Sequence, residues 1–411
     1  MASSVGREFF TARSVAEALT GFRPSHRSAV KHVALGDAWG RVPAARILAP
    51  AALPGFDRSS VDGYAVHAAD TFGASDSIPA YLRITGAVRM GAAAGGQVTP
   101  GSTIAVPTGG MLPAGADAVV MIEHTVEALP GTIEVVRPVA PGEGIVRGDE
   151  DAAAGEPITP EGRPLRAQDL ALLAACGVVE LPVHRAPRVT IIATGDEVVA
   201  PDAEEVRPGQ VRDALSVSIG ALVREVGGDP QPAGIVPDDR DALESTLARL
   251  VGESDLIVIC AGSSVGMRDQ TAAAVAALED AELWCHGLAI KPGKPTLLAS
   301  AGGIPIVGLP GNPRSALVVF RLIGMPLVRR IGGWTAVPRT GAVRARLARD
   351  LPSAAGRVDV VQVRLTGEEA EPLFGPSALL SVLTAADGYL LVAEEANGLS
   401  AGEQVDVFTY A

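Results

Sequence analysis

From residue 187 to about residue 331 the chain alternates continuous apolar runs with amphipathic stretches. Residues 189–193, 233–236, 256–260 and 304–309 read as strands, and residues 215–226, 240–251, 271–278 and 315–327 read as helices. The first of these helices stops at Gly227-Gly228, and Asp238 and Asp239 are N-cap candidates for the second. Apolar strands with no polar alternation are buried on both faces, so a mostly parallel, doubly wound sheet is predicted here.

The rest of the chain follows other periods. Residues 12–50 read as mainly helical. From residue 54 to about 141 short runs at 81–85, 103–107, 118–122 and 132–136 are cut by Gly and Pro and predict a small β-rich domain. Residues 166–176 form an amphipathic helix with Gly177 placed as its C′ residue. Strands return at 358–365, 389–393 and 404–410, in a small β-barrel or sandwich. The fold class is therefore multi-domain α/β plus β.

Composition narrows the classes. A chain of 411 residues with 47% hydrophobic positions has ample core for nearly three domains at about 150 residues each. Its 47 glycines and 31 prolines are spread among Val/Ile/Leu runs, which reads as many turns rather than disorder. A net charge of −13 argues against nucleic acid or an anionic membrane as partner, so any bound anion must be held by local geometry. Cys176, Cys260 and Cys285 lack metal or CxxC spacing, as in a reducing compartment. Arg7 and Glu8 precede any apolar stretch, unlike a signal peptide, and no run of 18 apolar residues exists. The expected location is cytoplasmic, without membrane insertion.

Lysine occurs only at positions 31, 291 and 294, and asparagine only at 312 and 397. Such depletion is the mark of a biased coding composition, under which the surviving Lys and Asn carry weight. Two of the three lysines fall in KPGK (291–294) and one asparagine in PGNP (310–313). Arginine does not replace lysine where a compact ammonium must fit.

In an open α/β sheet the ligand crevice lies at the carboxyl ends of the strands. Those ends read TGDE (194–197), PDD (237–239), AGSSVGMRD (261–269) and PGNP (310–313). Two are Gly-rich turns entering a helix, which lets backbone N–H groups cradle an anion. They lack both GxGxxG spacing and a GKS/T end. Singly, such a turn is more often plain punctuation; together at one sheet edge they favour a phosphate-bearing ligand, with Thr194, Gly262, Ser263, Ser264, Gly311 and Asn312 as candidate contacts. Glu197, Asp238 and Asp269 converge on the same edge, where a hard cation such as Mg²⁺ would reconcile carboxylates with an anionic ligand. Helix capping is the competing role, strongest for Asp196 and Asp238. Lys291 and Lys294 read as an oxyanion clamp on a Pro-braced loop rather than as ordinary surface lysines. The segment FDRSSVDGYAV (56–66) concentrates carboxylates and hydroxyls before an aromatic strand, as turn chemistry or as part of a site. No serine elbow or metal-spaced histidine pair is present, and His124 and His286 read as packing or surface residues.

FDRSSVDGYAV, PTGGMLPAGADAVV (107–120), TGDE, GSSVGMRD, AIKPGKP and LPGNPRSA occur in the order and spacing of one family. From about residue 12 to the C-terminus the sequence resembles the molybdopterin molybdenumtransferases, the MoeA proteins, whose eukaryotic counterpart is the E domain of gephyrin. The resemblance implies an elongated homodimer of four-domain subunits. Residues 1–53 and 142–180 would form a helical linker domain, 54–141 a β-rich domain, 181–331 the molybdopterin-binding α/β domain and 332–411 a C-terminal β domain. It implies insertion of molybdenum from molybdate into adenylylated molybdopterin, with release of AMP and support from Mg²⁺. It also implies a molybdopterin adenylyltransferase upstream and apo-molybdoenzymes downstream. By position, Glu197, Asp238 and Asp269 are expected around the pterin, its phosphates and the metal. Lys291, Lys294 and Ser315 are expected at molybdate, with Arg357 and Ser377 as further candidates. Asp57, Ser59, Asp62, Thr108, Glu123 and Asp151 would come from the partner subunit and close the site.

The chain departs from the family pattern at Gly148, where a second arginine is frequent, and at Leu215, which stands for an asparagine. Gly287 and Ala261 depart as well. None of these removes the acids or the lysines. Two other readings stay open: a gephyrin-like scaffold that clusters a membrane or cell-division protein with weak or lost catalysis, and a preference for tungstate. A scaffold needs none of Glu197, Asp238, Asp269, Lys291 and Lys294.

Overall fold

The computed structural model describes residues 12–261, 265–336 and 341–410, with backbone alone for 265–269. Its central layer is a six-stranded sheet in the spatial order Asp229–Val236, Arg188–Thr194, Leu256–Cys260, Ile304–Leu309, Leu297–Ala301, Glu282–His286. The first three junctions are parallel and the last two antiparallel. Leu256–Cys260 and Ile304–Leu309 are buried at every residue. Alternate side chains feed two cores: Ile191 and Val258 enter one, Ile192 and Ile257 the other, and helices cover both. The four predicted strands and the helix Arg240–Val251 stand where expected.

Two strands are additional. Glu282–His286 exposes Leu283, and Leu297–Ala301 contains no β-branched residue, so neither carries a strong β signal. Between Ala301 and Ile304 lies Gly302-Gly303, with φ of 54° and 79°, the two-residue hairpin turn that a positive-φ pair allows. The helix expected at 271–278 begins earlier, as Val265–Ala276, and the one expected at 315–327 runs from Pro313 to Ile331 through a π-helical turn, Phe320–Gly324.

Residues 12–50 differ most from expectation. Their one α-helix is Val15–Gly21, fixed by a reciprocal cap in which Ser14 Oγ accepts from Glu17 N (3.0 Å) and Glu17 accepts from Ser14 N (2.8 Å). It buries Val15 and Ala18, with Phe22, in the α/β core. Val30–Ala34 is a strand, paired antiparallel with Glu180–His184. Ala38 and Ala49 then pack with Ala152, Ile158, Leu165, Leu173 and Leu181. The chain thus leaves this small core, builds a six-stranded β-sheet between Gly63 and Val135, and returns to it. At the other end, Ala342–Leu347, Val358–Thr366, Glu369–Pro372, Gly388–Val392 and Gln404–Thr409 close into a barrel around Leu347, Val363, Leu390 and Val407.

Asp255 ties the N-terminal segment to the sheet. It is 4% exposed, accepts from the backbone N–H of Arg188 (2.6 Å) and pairs with His26 (2.8 Å) and Arg185 (2.8 Å). Burial pushes its carboxyl up, but the His26, Arg188 and Arg185 contacts outweigh that and hold it below the usual range. Its contribution is full above the unfolded carboxyl value of about 3.9 and is lost as pH falls through the lower folded value. Asp255→Ala should cost about 3–5 kcal/mol in urea unfolding at neutral pH, with the deficit shrinking in acid.

Candidate active site

The sheet reverses direction of travel beside Arg188–Thr194: the chain passes to Asp229–Val236 on one side, then crosses to Leu256–Cys260 on the other. That switch point opens a crevice at the carboxyl ends of the strands. A cavity of 490 Å³ occupies it, lined by Thr194, Glu197, Asp213, Leu215, Ala261 and Gly311 among others. Thr194 is 1% exposed and its hydroxyl has no hydrogen-bond partner, leaving a donor at the cavity wall. Gly195 adopts φ 140°, and a Cβ there would stand 2.7 Å from the Glu197 carboxylate. The glycine therefore permits this turn and lets Glu197 fold back over it.

The acids divide by role. Asp239, and not Asp238, caps the helix Arg240–Val251, accepting from Ala242 N at 2.8 Å. Asp196 accepts from the backbone N–H of Asp238 at 3.2 Å. Asp238 is thus free of both structural duties, and its Oδ1 is buried without a hydrogen-bond partner. Burial, then the neighbouring Glu197 charge, pushes its carboxyl above the ordinary range. Two carboxylates held close in this way fit a cation between them and an anionic ligand. Among the described residues no three metal-ligating side chains converge. The side chain of Asp269 lies outside the described residues, as do Gly262, Ser263 and Ser264.

A second cavity of 730 Å³ adjoins the same PGNP turn. Lys291, Lys294, Asn312, Ser315, Arg357 and Ser377 all line it. Its construction follows from strand pairing: Ile290–Lys291 leaves the α/β layer and adds in parallel to the barrel strand Val358–Thr366, with Lys291 opposite Asp359. Asp359, 4% exposed, pairs with Arg357 at 2.8 Å and with Lys291 at 3.7 Å. Between the lysines, Gly293 holds φ 125°, and a Cβ there would stand 2.4 Å from Val319. The carbonyl of Lys294 accepts from Leu288 N and Thr296 N, both at 2.9 Å, which locks the loop. Lys294 has no acidic partner among the described residues. Arg314 also lines the cavity, so four cationic side chains and no carboxylate stand among its described lining residues, in a chain of net charge −13. Such an excess of positive charge favours an anion there.

Arg314, Asp359 and Asp213 are the residues that sequence reasoning passed over. Arg314 stands inside the LPGNPRSA motif, and Asp213 follows the short strand Val211–Arg212 and accepts from Ser216 N (2.9 Å) at the start of the helix Leu215–Glu225. Asp359 had no sequence signal, because only the pairing of distant strands brings it beside Lys291.

The remaining candidates form a separate cluster. Ser59 N donates to Gly110 O and Gly109 N to Ser59 O, interlocking the 57–63 and 108–112 loops. Asp62 accepts from Thr108 N (2.7 Å) and Thr108 Oγ1 (3.0 Å), bonds that hold its carboxyl below the usual range. Asp57 accepts from Gly148 N at 2.8 Å, and Ser59 Oγ donates to Val61 O at 2.6 Å. Gly63 lies so close to Val120 O that any Cβ would collide with it. Glu123 and Asp151 are exposed, Asp151 beside the small core that Ala152 joins. None of these residues lines either cavity. Burial pushes the Cys285 thiol up to about 11 and Cys260 higher still, as expected of inert core cysteines. No helix among the described residues is long and apolar enough to cross a membrane.

Residues 13–177 match the MoeA N-terminal region (domain I and II), residues 190–330 a probable molybdopterin binding domain and residues 344–410 the MoeA C-terminal region (domain IV). A putative molybdopterin biosynthesis protein of Methanocaldococcus jannaschii is 33% identical over 389 residues, covering 92% of each chain. Molybdopterin molybdenumtransferase 2 of Mycobacterium tuberculosis is 32% identical over 406 residues, covering 96% of this chain and 97% of its own. The crystal structure of the MoeA protein of Pyrococcus horikoshii superposes with a TM-score of 0.84 at 32% identity, over 97% of this chain and 100% of that one. The chain belongs to the MoeA family of molybdenum cofactor biosynthesis enzymes.

Proposed function

We propose that this enzyme transfers molybdenum from molybdate into adenylylated molybdopterin, releasing AMP and yielding the molybdenum cofactor. The observation that carries the reading is the cavity lined by Lys291, Lys294, Arg314 and Arg357 with no carboxylate among its described lining residues, beside the crevice that Thr194, Glu197 and Gly311 line at the strand ends. The lysines and Ser315 hold the oxyanion, with Arg357 aimed by Asp359 and Ser377 on the facing wall. Thr194, Gly311 and Asn312 contact the pterin ligand at the strand ends. Mg²⁺, when bound, supplies charge neutralisation at the phosphoanhydride, and Glu197, Asp238 and Asp269 are the residues to hold it. Molybdate offers no carbon centre to attack: the two dithiolene sulfurs replace two of its oxygens, which leave as water with the thiol protons, and one water cleaves the phosphoanhydride to release AMP, so the protein's work is positioning and charge management.

In this reading the site is completed by a second subunit, whose Asp57, Ser59, Asp62, Thr108, Glu123 and Asp151 cover the crevice and exclude bulk water. The location of that cluster away from both cavities of its own chain supports the arrangement.

Two experiments check these assignments. In a host lacking its own molybdenumtransferase, expression of the chain should restore molybdoenzyme activity; no restoration by a stably expressed protein would favour the scaffold reading. Separately, Asp238→Asn should raise Tm at neutral pH while abolishing turnover, because burial, and then the Glu197 charge, makes the ionised carboxylate costly at that place. The raised carboxyl weakens the fold as pH climbs above the unfolded value of about 3.9, so the gain should fade in acid. An unchanged Tm would contradict the electrostatic tension between Glu197 and Asp238.

A further inference from the structure

Segment 375–380 forms a wall shared by both cavities: Gly375, Pro376 and Ser377 line the larger, Ala378 and Leu380 the smaller. It belongs to the C-terminal part of the chain, and Leu379 and Leu380 are exposed. Its tie to the α/β layer is Arg314. The backbone N–H of Arg314 donates to Ser377 O at 3.1 Å, and Nη1 donates to Gly375 O at 2.8 Å.

One further donor of that guanidinium is left without a protein partner. Arg314 makes no ion pair among the described residues, while Asp359, the carboxylate beside the cavity, pairs with Arg357 and Lys291. Its Nε is buried with no hydrogen-bond partner. Burial also opposes its charge, with the Tyr410 hydroxyl as a lesser, opposite influence. A half-buried guanidinium with free donors and no counter-charge is costly unless something in the cavity supplies the charge. Lys294, without an acidic partner among the described residues, lines the same cavity and awaits the same partner.

We propose that Arg314 is a further oxyanion-recognition residue of this cavity, and the tether through which a bound oxyanion fixes segment 375–380 as its wall. The inference rests on the molybdate reading above and adds a residue and a coupling to it. The planar fork serves both ends at once: one N–H holds Gly375, while the remaining donors meet the oxyanion. Occupancy of the cavity therefore orders the segment that also borders the pterin crevice.

The test uses the full-length protein and sodium molybdate alone, by calorimetric titration and by amide hydrogen exchange of residues 375–380. Wild type should bind molybdate and slow exchange in that segment. Arg314→Gln should weaken molybdate about 10- to 100-fold, the size of a lost charge-assisted contact, and should abolish the slowing. Arg314→Lys keeps the charge without the fork and should fall between them, which covers the case of a poorly folded glutamine variant. If Arg314→Gln binds within twofold of wild type while Lys294→Ala does not bind, Arg314 is a strut only and the inference fails while the cavity reading survives. If the wild type binds no molybdate, both fail.

Discussion

Lys294→Ala loses about 10²–10³-fold in molybdate-dependent turnover, the scale of one removed oxyanion donor in a preorganised site, with little change in folding stability. The stability half follows from exposure: Lys294 makes no ion pair among the described residues, and surface substitutions away from special features stay within about 0.5 kcal/mol. The activity half follows from the rigidity of its backbone. Its carbonyl is bonded to two N–H groups, and Gly293 before it sits at φ 125° against Val319. The ammonium is therefore delivered to one place, and a guanidinium at the same position is bulkier, so Lys294→Arg should not restore full rate. Steady-state kinetics against molybdate concentration, beside a urea melt, separates the two effects. A variant that melts early, or one that turns over normally, would each contradict this account of the loop.

A larger qualitative effect is expected from mixing dead subunits. Asp57→Ala and Asp238→Asn homodimers should both be inactive. A purified heterodimer of the two should recover one working site of two, because one crevice then receives a wild-type covering loop and keeps its own Asp238. Differently tagged subunits, isolated by sequential affinity steps, give the species needed. Asp57 also holds Gly148 N and faces Arg147, so the variant must first be shown to fold. No recovery in a verified heterodimer would mean that the 57–62 and 108 residues serve their own domain, as the hydrogen bonds among them already do.

Much of the site was legible in the sequence for a reason peculiar to this chain. Where lysine and asparagine are nearly absent, KPGK and PGNP stand out, and the structure brings Lys291, Lys294 and Asn312 to one cavity. The parallel strands were legible because unbroken apolar runs have few other homes. What escaped was non-local or weakly patterned. Asp359 acquires meaning only when residue 291 pairs with the barrel strand. The strand Leu297–Ala301 hides behind Ala and Ser, although Gly302-Gly303 marks its hairpin. The helical reading of residues 12–50 failed because Ala and Leu there serve a small shared core made with residues 152–183, and the only α-helix in that stretch is the capped seven-residue Val15–Gly21, about two turns long. Choosing between Asp238 and Asp239 as the cap needed coordinates, since adjacent aspartates carry the same local signal.

The most direct measurement gives purified protein adenylylated molybdopterin and Mg²⁺, with and without molybdate, and follows AMP together with reconstitution of an apo-molybdoenzyme. The account predicts AMP release that depends on molybdate and rises in step with active cofactor. Tight retention of the adenylylated pterin with no release, for molybdate and for tungstate alike, would contradict it.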